Sequence, residues 1–247
     1  MTDKGFDNQI GRSVVIGGGS GMGQAIADAL LAAGSEVTIV GRSAERLADA
    51  VRELGDGKLA AIAADVSDED QVRRLFDTVG AVDHVITTAA DLRGAYGPVS
   101  TFDFGNGRGF LETKLIGSML LAKHARITPG GSLTFTSGIA AYRPAAGGAM
   151  VAAVNAALEG LARALAVELA PTRVNVLSPG WVETGVWDNM PWDDKADRLR
   201  AMAERLPAGR LGRPEDIAQA ALSLLRNPSS PARSCMWTAA TGWSDAT

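Results

Sequence analysis

The stretch VVIGGGSGMGQAIA, residues 14–27, constrains this chain more than any other. An apolar, β-branched run enters a glycine cluster and leaves it as a helix-forming run. Gly17, Gly21 and Gly23 stand at GxxxGxG spacing. Glycines there allow a tight turn and let backbone N–H groups at a helix N-terminus approach an anion. Strand, glycine turn and helix in that order open a βαβ unit, whose strands are parallel. No GK[ST] follows, so this is not the phosphate loop of an NTPase.

The alternation continues along the chain. SVVIGG (13–18), EVTIVG (36–41), LAAIAAD (59–65), HVITTAA (84–90), SLTFTS (132–137) and RVNVLS (173–178) read as buried strands, and CMWTAA (235–240) as a weaker last one. A helix over 21–33 ends at Gly34. Ser43 is expected to cap a helix carrying Leu47, Val51 and Leu54, and Ser67 one carrying Val72, Leu75, Phe76 and Val79. Further helices are expected near 107–125 and 149–169, and Pro214 opens another with Ile217, Ala221, Leu224 and Leu225 on its apolar face. Apolar strands between helices imply a parallel sheet covered on both faces, doubly wound by right-handed crossovers. The reading is a single α/β domain over residues 1–247, Rossmann-type, with about seven strands.

Bulk properties narrow the function. A hydrophobic content of 46% with 21% charged residues reads as a soluble globular protein. Net charge is −4 with basic residues scattered, which argues against nucleic acid or an anionic membrane as partner. Cys235 is the lone cysteine, and His84 and His124 stand apart, so neither a disulfide nor a metal site is expected. The polar start MTDKGFDNQIGR lacks signal-peptide character, and no apolar run of about 20 residues is evident. The expected compartment is the cytoplasm.

The loop residues Gly17, Gly19, Ser20, Gly21, Met22 and Gly23 are the candidate diphosphate contacts. The end of the second strand indicates which nucleotide. A carboxylate there would hold a ribose 2′-hydroxyl. The residues are instead Gly41, Arg42 and Ser43, and a guanidinium pairs with a 2′-phosphate. That favours NADP(H), with Ser20 a second candidate to reach that phosphate and Ser43 a candidate cofactor contact; the alternative is a solvated Arg42 at a helix start.

These features together resemble the short-chain dehydrogenase/reductase family over nearly the whole chain. IGGGSGMG is similar to TGxxxGxG, and Asp65 and Val66 to the family's adenine-contacting Asp-Val pair. DHVITTAAD resembles the stretch ending in NNAG but reads Thr87, Thr88, Ala89, Ala90; Thr88, Ala89 and Ala90 take its cofactor role. RVNVLSPGWVET closely resembles RVNxxxPGxxxT, so Pro179, Gly180, Val182 and Thr184 inherit contact with the nicotinamide. GRLGRPEDIA is typical of the family's late helix. The resemblance implies hydride transfer between the nicotinamide and a carbonyl or alcohol, with a Ser, a Tyr, a Lys and an upstream Asn handling the proton.

Those four positions do not match. Aligning VAAVNAALEGLARALAVELA with YxxxKAAxxxLxRxLAxEL puts Asn155 at the Lys, Val151 at the Tyr and Gly138 at the Ser, with Ser137 one residue early. FLETKLIGSMLL puts Lys114 at the Asn. Two changes are reciprocal, so the reading is that the ammonium has moved to Lys114, near the nicotinamide ribose, with Asn155 supporting it; the plain alternative is a lysine on a solvated helix face. Of the two tyrosines, Tyr142 in TSGIAAYRP is placed to fold toward Ser137 and Lys114 or to remain an ordinary loop residue. Tyr96 in DLRGAYGP ranks behind it.

Trp181, Trp187, Met190 and Trp192 crowd the segment that the resemblance makes the substrate loop, about 181–212. They suggest an apolar or aromatic small-molecule substrate, unless they merely pack the following helix. The resemblance implies a helix-pairing contact in a homodimer or homotetramer, for which the Ala-rich 149–169 helix offers a flat face. The chain therefore reads as an NADP(H)-dependent reductase of a carbonyl, imine or activated alkene with an atypical proton supply. The alternative is a catalytically inactive NADP(H)-binding regulator or scaffold.

Overall fold

The computed structural model describes residues 10–55, 57–189, 193–227 and 234–235. Its strands are β1 (Ser13–Ile16), β2 (Val37–Gly41), β3 (Leu59–Ala63), β4 (Ala81–Thr87), β5 (Arg126–Thr136), β6 (Arg173–Leu177) and β7 (Ser234–Cys235). All pair in parallel in one sheet of order β3-β2-β1-β4-β5-β6-β7. The chain moves outward from β1 to β3, then returns to the far side of β1 as β4. That reversal opens a crevice at the C-terminal ends of β1 and β4, where doubly wound sheets bind ligands.

Alternate strand residues feed the two faces. Val15, Ile39, Ile86 and Leu177 pack with α1 (Gly21–Ala32), α2 (Ala44–Leu54) and α8 (Pro214–Arg226). Val14, Ile16, Val40, Val85, Leu133, Phe135, Val174 and Val176 pack with α3 (Glu69–Val79), α5 (Gly117–His124) and α6 (Ala149–Glu168). The period of two along each strand thus serves two separate cores. The remaining helices are α4 (Phe104–Leu111) and α7 (Lys195–Arg205).

Several boundaries differ from the sequence expectation. Ser43 caps α2 as expected, accepting from the Arg46 N–H at 3.2 Å. Ser67 does not cap α3. Asp68 does, accepting from the Gln71 N–H at 3.0 Å, while Ser67 donates both its N–H and its hydroxyl to Asp65. A carboxylate one residue later serves the same first turn and adds a favourable charge at the helix N-terminus. The apolar strand β3 is mostly exposed rather than buried, because it is the sheet edge with a neighbour on one side only. β5 begins at Arg126, six residues before its expected start, and reaches β4 through a register shift between Val82 and His84. The rest of the expected last strand, 236–240, lies outside the described residues.

α6 is long and apolar enough, by length and composition, to cross a membrane, contrary to the expectation that no such run exists. Its inner face packs Val154, Leu158 and Ala162 against the sheet and other helices, and it buries Asn155 and Glu159. These are the contacts of a helix within a globular core.

The β1–α1 turn is held by close approach. A Cβ on Gly23 would lie 2.1 Å from the Gly17 carbonyl oxygen and 2.7 Å from Thr88 Oγ1. On Gly19 it would meet nothing nearer than 3.5 Å. Gly23→Ala is therefore expected to cost about 2 kcal/mol or more in urea unfolding, and Gly19→Ala less than about 0.5 kcal/mol. Equal costs for the two would show that close packing does not govern this turn.

Candidate active site

A cleft of about 720 Å³ opens at the C-terminal ends of the central strands. One end is built by the glycine turn. Gly17 sits at φ +84° and Gly21 at φ +55°, where a side chain would be strained. Ser20 precedes α1 in extended conformation but makes no side-chain cap, so the first-turn N–H groups and the Ser20 hydroxyl are left for a ligand. Gly17, Gly19, Ser20, Gly21, Met22 and Gly23 line this end together with Arg42 and Ser43 after β2, Asp65 and Val66 after β3, and Thr88, Ala89 and Ala90 after β4. Thr88 is tied to β1 by its N–H and hydroxyl, both donating to the Ile16 carbonyl, at 2.8 and 3.2 Å.

The other end is built by Lys114, Ser137, Asn155, Pro179, Gly180, Trp181, Val182, Thr184 and Trp187. Trp181 and Trp187 stack with ring centroids 5.2 Å apart. The buried Trp187 indole donates to the Val182 carbonyl at 2.7 Å, so it fixes the segment as well as walling the cleft. Val182 and Gly212 form a parallel bridge that closes the base of the 181–212 loop. Met190 and Trp192 lie outside the described residues.

Lys114 owes its place to a backbone irregularity. The expected helix near 107–125 is three segments: α4, a π-helical stretch Glu112–Ile116, and α5. A π turn takes an extra residue and rotates the side chains it carries, and such turns recur at functional sites. Lys114 lies within this one. Its Nζ donates to the Ser137 carbonyl at 2.9 Å and stands 5.3 Å from the Phe110 ring centroid. Lys114 has intermediate surface exposure because it faces the cleft, yet enough protein surrounds its ammonium that burial pushes its pKa down to about 7. The structure gives no opposite charge as a cause to offset that burial.

Asn155 and Lys114 both face the cleft but do not bond through the amide oxygen: Asn155 Oδ1 is buried with no hydrogen-bond partner among the described residues. The expected Lys–Asn support is therefore replaced by a lysine held on a backbone carbonyl. Asn155 instead occupies space beside Gly138, where a Cβ would lie 2.9 Å from its amide nitrogen. A serine at 138 would press on that amide, so the small residue and the asparagine fit as a pair.

Tyr142 does not turn toward Lys114. Its hydroxyl donates to Glu159 Oε2, and the ring is absent from the cleft wall. The Ser137 hydroxyl donates to the other oxygen, Oε1, at 2.8 Å. The sequence reading missed Glu159, a buried carboxylate one turn beyond Asn155 on α6. Four-residue spacing from Asn155 was the available signal. The tyrosine that does line the cleft is the lower-ranked Tyr96, whose pKa burial pushes up. Asp91 was also missed. It is buried and pairs with Arg42, so the guanidinium expected to meet a phosphate already has a partner.

Residues 17–239 match the family model described as enoyl-(acyl carrier protein) reductase. The short-chain dehydrogenase/reductase ucsE of Acremonium sp is 34% identical over 83% of this chain and 85% of its own length. The reductase/Diels–Alderase MalC of Malbranchea aurantiaca, a solved structure, is 28% identical with TM-score 0.86, covering 95% of this chain and 98% of its own. A small-chain dehydrogenase solved in complex with NADPH is 30% identical with TM-score 0.77, covering 94% and 98%.

The burial of Lys114 has a consequence for stability. Its pKa in the fold is about 7, against an ordinary 10.5, so the fold disfavours the charged form. The penalty is complete below pH 7 and fades as pH rises toward 10.5. Lys114→Met should therefore melt at a higher temperature than wild type near pH 6, with the gap narrowing toward pH 10. A gap that does not depend on pH would show that the ammonium is not desolvated.

Proposed function

The chain belongs to the short-chain dehydrogenase/reductase family, a family of oxidoreductases, and on that premise we propose that it reduces an apolar small molecule with NADPH, Lys114 supplying the proton. The observation that carries this reading is the lysine on the cleft floor with its pKa at about 7. A general acid works best when its pKa lies near the working pH. An ordinary lysine holds its proton too tightly for that role, and desolvation loosens it.

The residues fit a dinucleotide phosphate. The uncapped N-terminus of α1 and the side-chain-free turn would admit a diphosphate, and Arg42 and Ser43, which follow β2 and line the same end of the cleft, support a 2′-phosphate there. The bound cofactor supplies a hydride. Hydride arrival at a carbonyl carbon leaves negative charge on oxygen, and the Lys114 ammonium beside it neutralises that charge by giving up a proton. The orphaned Asn155 Oδ1 is an acceptor for a substrate or ribose hydroxyl. A carbonyl is the leading acceptor; an imine or activated alkene demands less of the acid. Phe110, Val151, Ile139, Trp181 and Trp187 give the substrate end apolar walls, which suit an apolar or aromatic substrate. Exposed Ile116, Met119 and Val167 support a homodimer or homotetramer.

A second reading is a cofactor-binding protein without turnover. Val151 and Gly138 at the family's Tyr and Ser positions favour it, as does the turn of Tyr142 toward Glu159. One assay separates the readings. NADPH oxidation is followed against ketones, imines and enones, with NADPH binding measured by fluorescence. The rate is expected to fall as pH rises through about 7, since the acid must be protonated. Lys114→Met should lose about 100-fold or more in kcat together with that pH dependence, while NADPH affinity stays within about tenfold. Unchanged turnover in Lys114→Met overturns the proton assignment. Tight NADPH binding without turnover at any pH supports the second reading.

A further inference from the structure

Asp91 is a buried carboxylate with more positive charge around it than it needs. Its side chain is 8% exposed. Arg93 alone satisfies both oxygens: its Nε donates to Oδ1 at 2.8 Å, its Nη2 donates to Oδ2, and its backbone N–H reaches Oδ1 at 3.2 Å. Arg42 then adds a second guanidinium, Nη1 donating to Oδ2 at 2.9 Å. Both arginines hold the Asp91 carboxyl well below the usual carboxylate range.

The Arg42 contact is peculiar in where it runs. Arg42 follows β2 and Asp91 follows β4, and β1 lies between those strands in the sheet. The Arg42 side chain therefore crosses the C-terminal edge of β1, the edge from which the glycine turn leaves. It crosses at the nucleotide end of the cleft, and the Arg42 side chain is still 46% exposed there.

We propose that Asp91 limits the preference for a 2′-phosphorylated dinucleotide by holding Arg42 until the phosphate displaces it, with Arg93 remaining behind as the counter-charge. This rests on the reading of Arg42 as the 2′-phosphate partner. The physical logic is an exchange of ion pairs. A phosphate presents more negative charge than a carboxylate and accepts a guanidinium through two oxygens. Releasing Arg42 does not strand Asp91, because the Arg93 fork keeps the buried charge paired. A dinucleotide lacking the phosphate offers Arg42 nothing in exchange, so Arg42 stays on Asp91. Asp91 thus lowers affinity for the phosphorylated cofactor alone, and Arg93 limits how far it does so.

The test uses the whole protein and two ligands, NADPH and NADH, with dissociation constants from titration calorimetry at fixed salt. Asp91→Asn keeps shape and frees Arg42. It is expected to bind NADPH about tenfold tighter than wild type, with NADH changed less than about twofold. Arg93→Gln, at an exposed position, leaves Arg42 as the sole counter-charge of Asp91 and should weaken NADPH several-fold without changing NADH. Weaker or unchanged NADPH binding in Asp91→Asn, with the fold intact by circular dichroism, overturns the proposal. If Asp91→Asn fails to fold, Arg93→Gln decides it: NADPH affinity at the wild-type value overturns the exchange. Failure of the underlying reading looks different. Neither wild type nor Asp91→Asn would then bind NADPH better than NADH, whereas a wild-type preference for NADPH that Asp91→Asn does not increase overturns the exchange alone.

Discussion

The Gly17 carbonyl lies where a Cβ of Gly23 would go, and much of the molecule depends on that approach. Only a bare Cα lets α1 start so close to the end of β1. The same contact brings in Thr88 from the end of β4, whose hydroxyl donates to Ile16 and blocks a Cβ at both Gly17 and Gly23. The β1–α1 turn and the end of β4, distant in the chain, therefore meet at the point where the strand order reverses. The crevice, the first-turn N–H groups of α1 and the cofactor end of the cleft are all consequences of that meeting.

At the other end of the cleft the governing constraint is desolvation of one charge. Lys114 is carried inward by a π-helical turn and given a backbone carbonyl rather than a carboxylate. A carboxylate partner would have fixed the proton on the amine; a carbonyl leaves it mobile near neutrality. The nearby carboxylate that was available, Glu159, is committed to Ser137 and Tyr142. Lys114 donates to the Ser137 carbonyl while Glu159 accepts from the Ser137 hydroxyl, so the two side chains are linked through Ser137.

Asp91 shows the opposite arrangement, one buried anion shared by two cations. An interior carboxylate must be paired, and a pair of partners makes one of them exchangeable. Glu159 and Asp91 are the buried acidic side chains among the described residues, and each lies beside one end of the cleft. Neither belongs to a motif, and along the chain only Glu159 carries a signal, its four-residue spacing from Asn155.

The sequence by itself determined the alternation of apolar strands and helices, the glycine turn and the cofactor end of the cleft. These are local: strand period, helix period and glycine spacing are set by backbone sterics within a dozen or so residues. It also placed Lys114, Ser137 and Asn155 at one site, because each belongs to a recognisable segment. The edge exposure of β3 and the shift of a helix cap from Ser67 to Asp68 were not legible, since solvent on one side of a strand and rivalry between adjacent caps depend on neighbours. Only the tertiary structure decided the partners of the charged groups. Lys114 takes the Ser137 carbonyl and not Asn155, Tyr142 takes Glu159 and not Lys114, and Arg42 takes Asp91. The reason is common to all of them. Hydrogen bonds and ion pairs act over about 3 Å, and distances of that order between residues far apart in sequence exist only once the chain has packed.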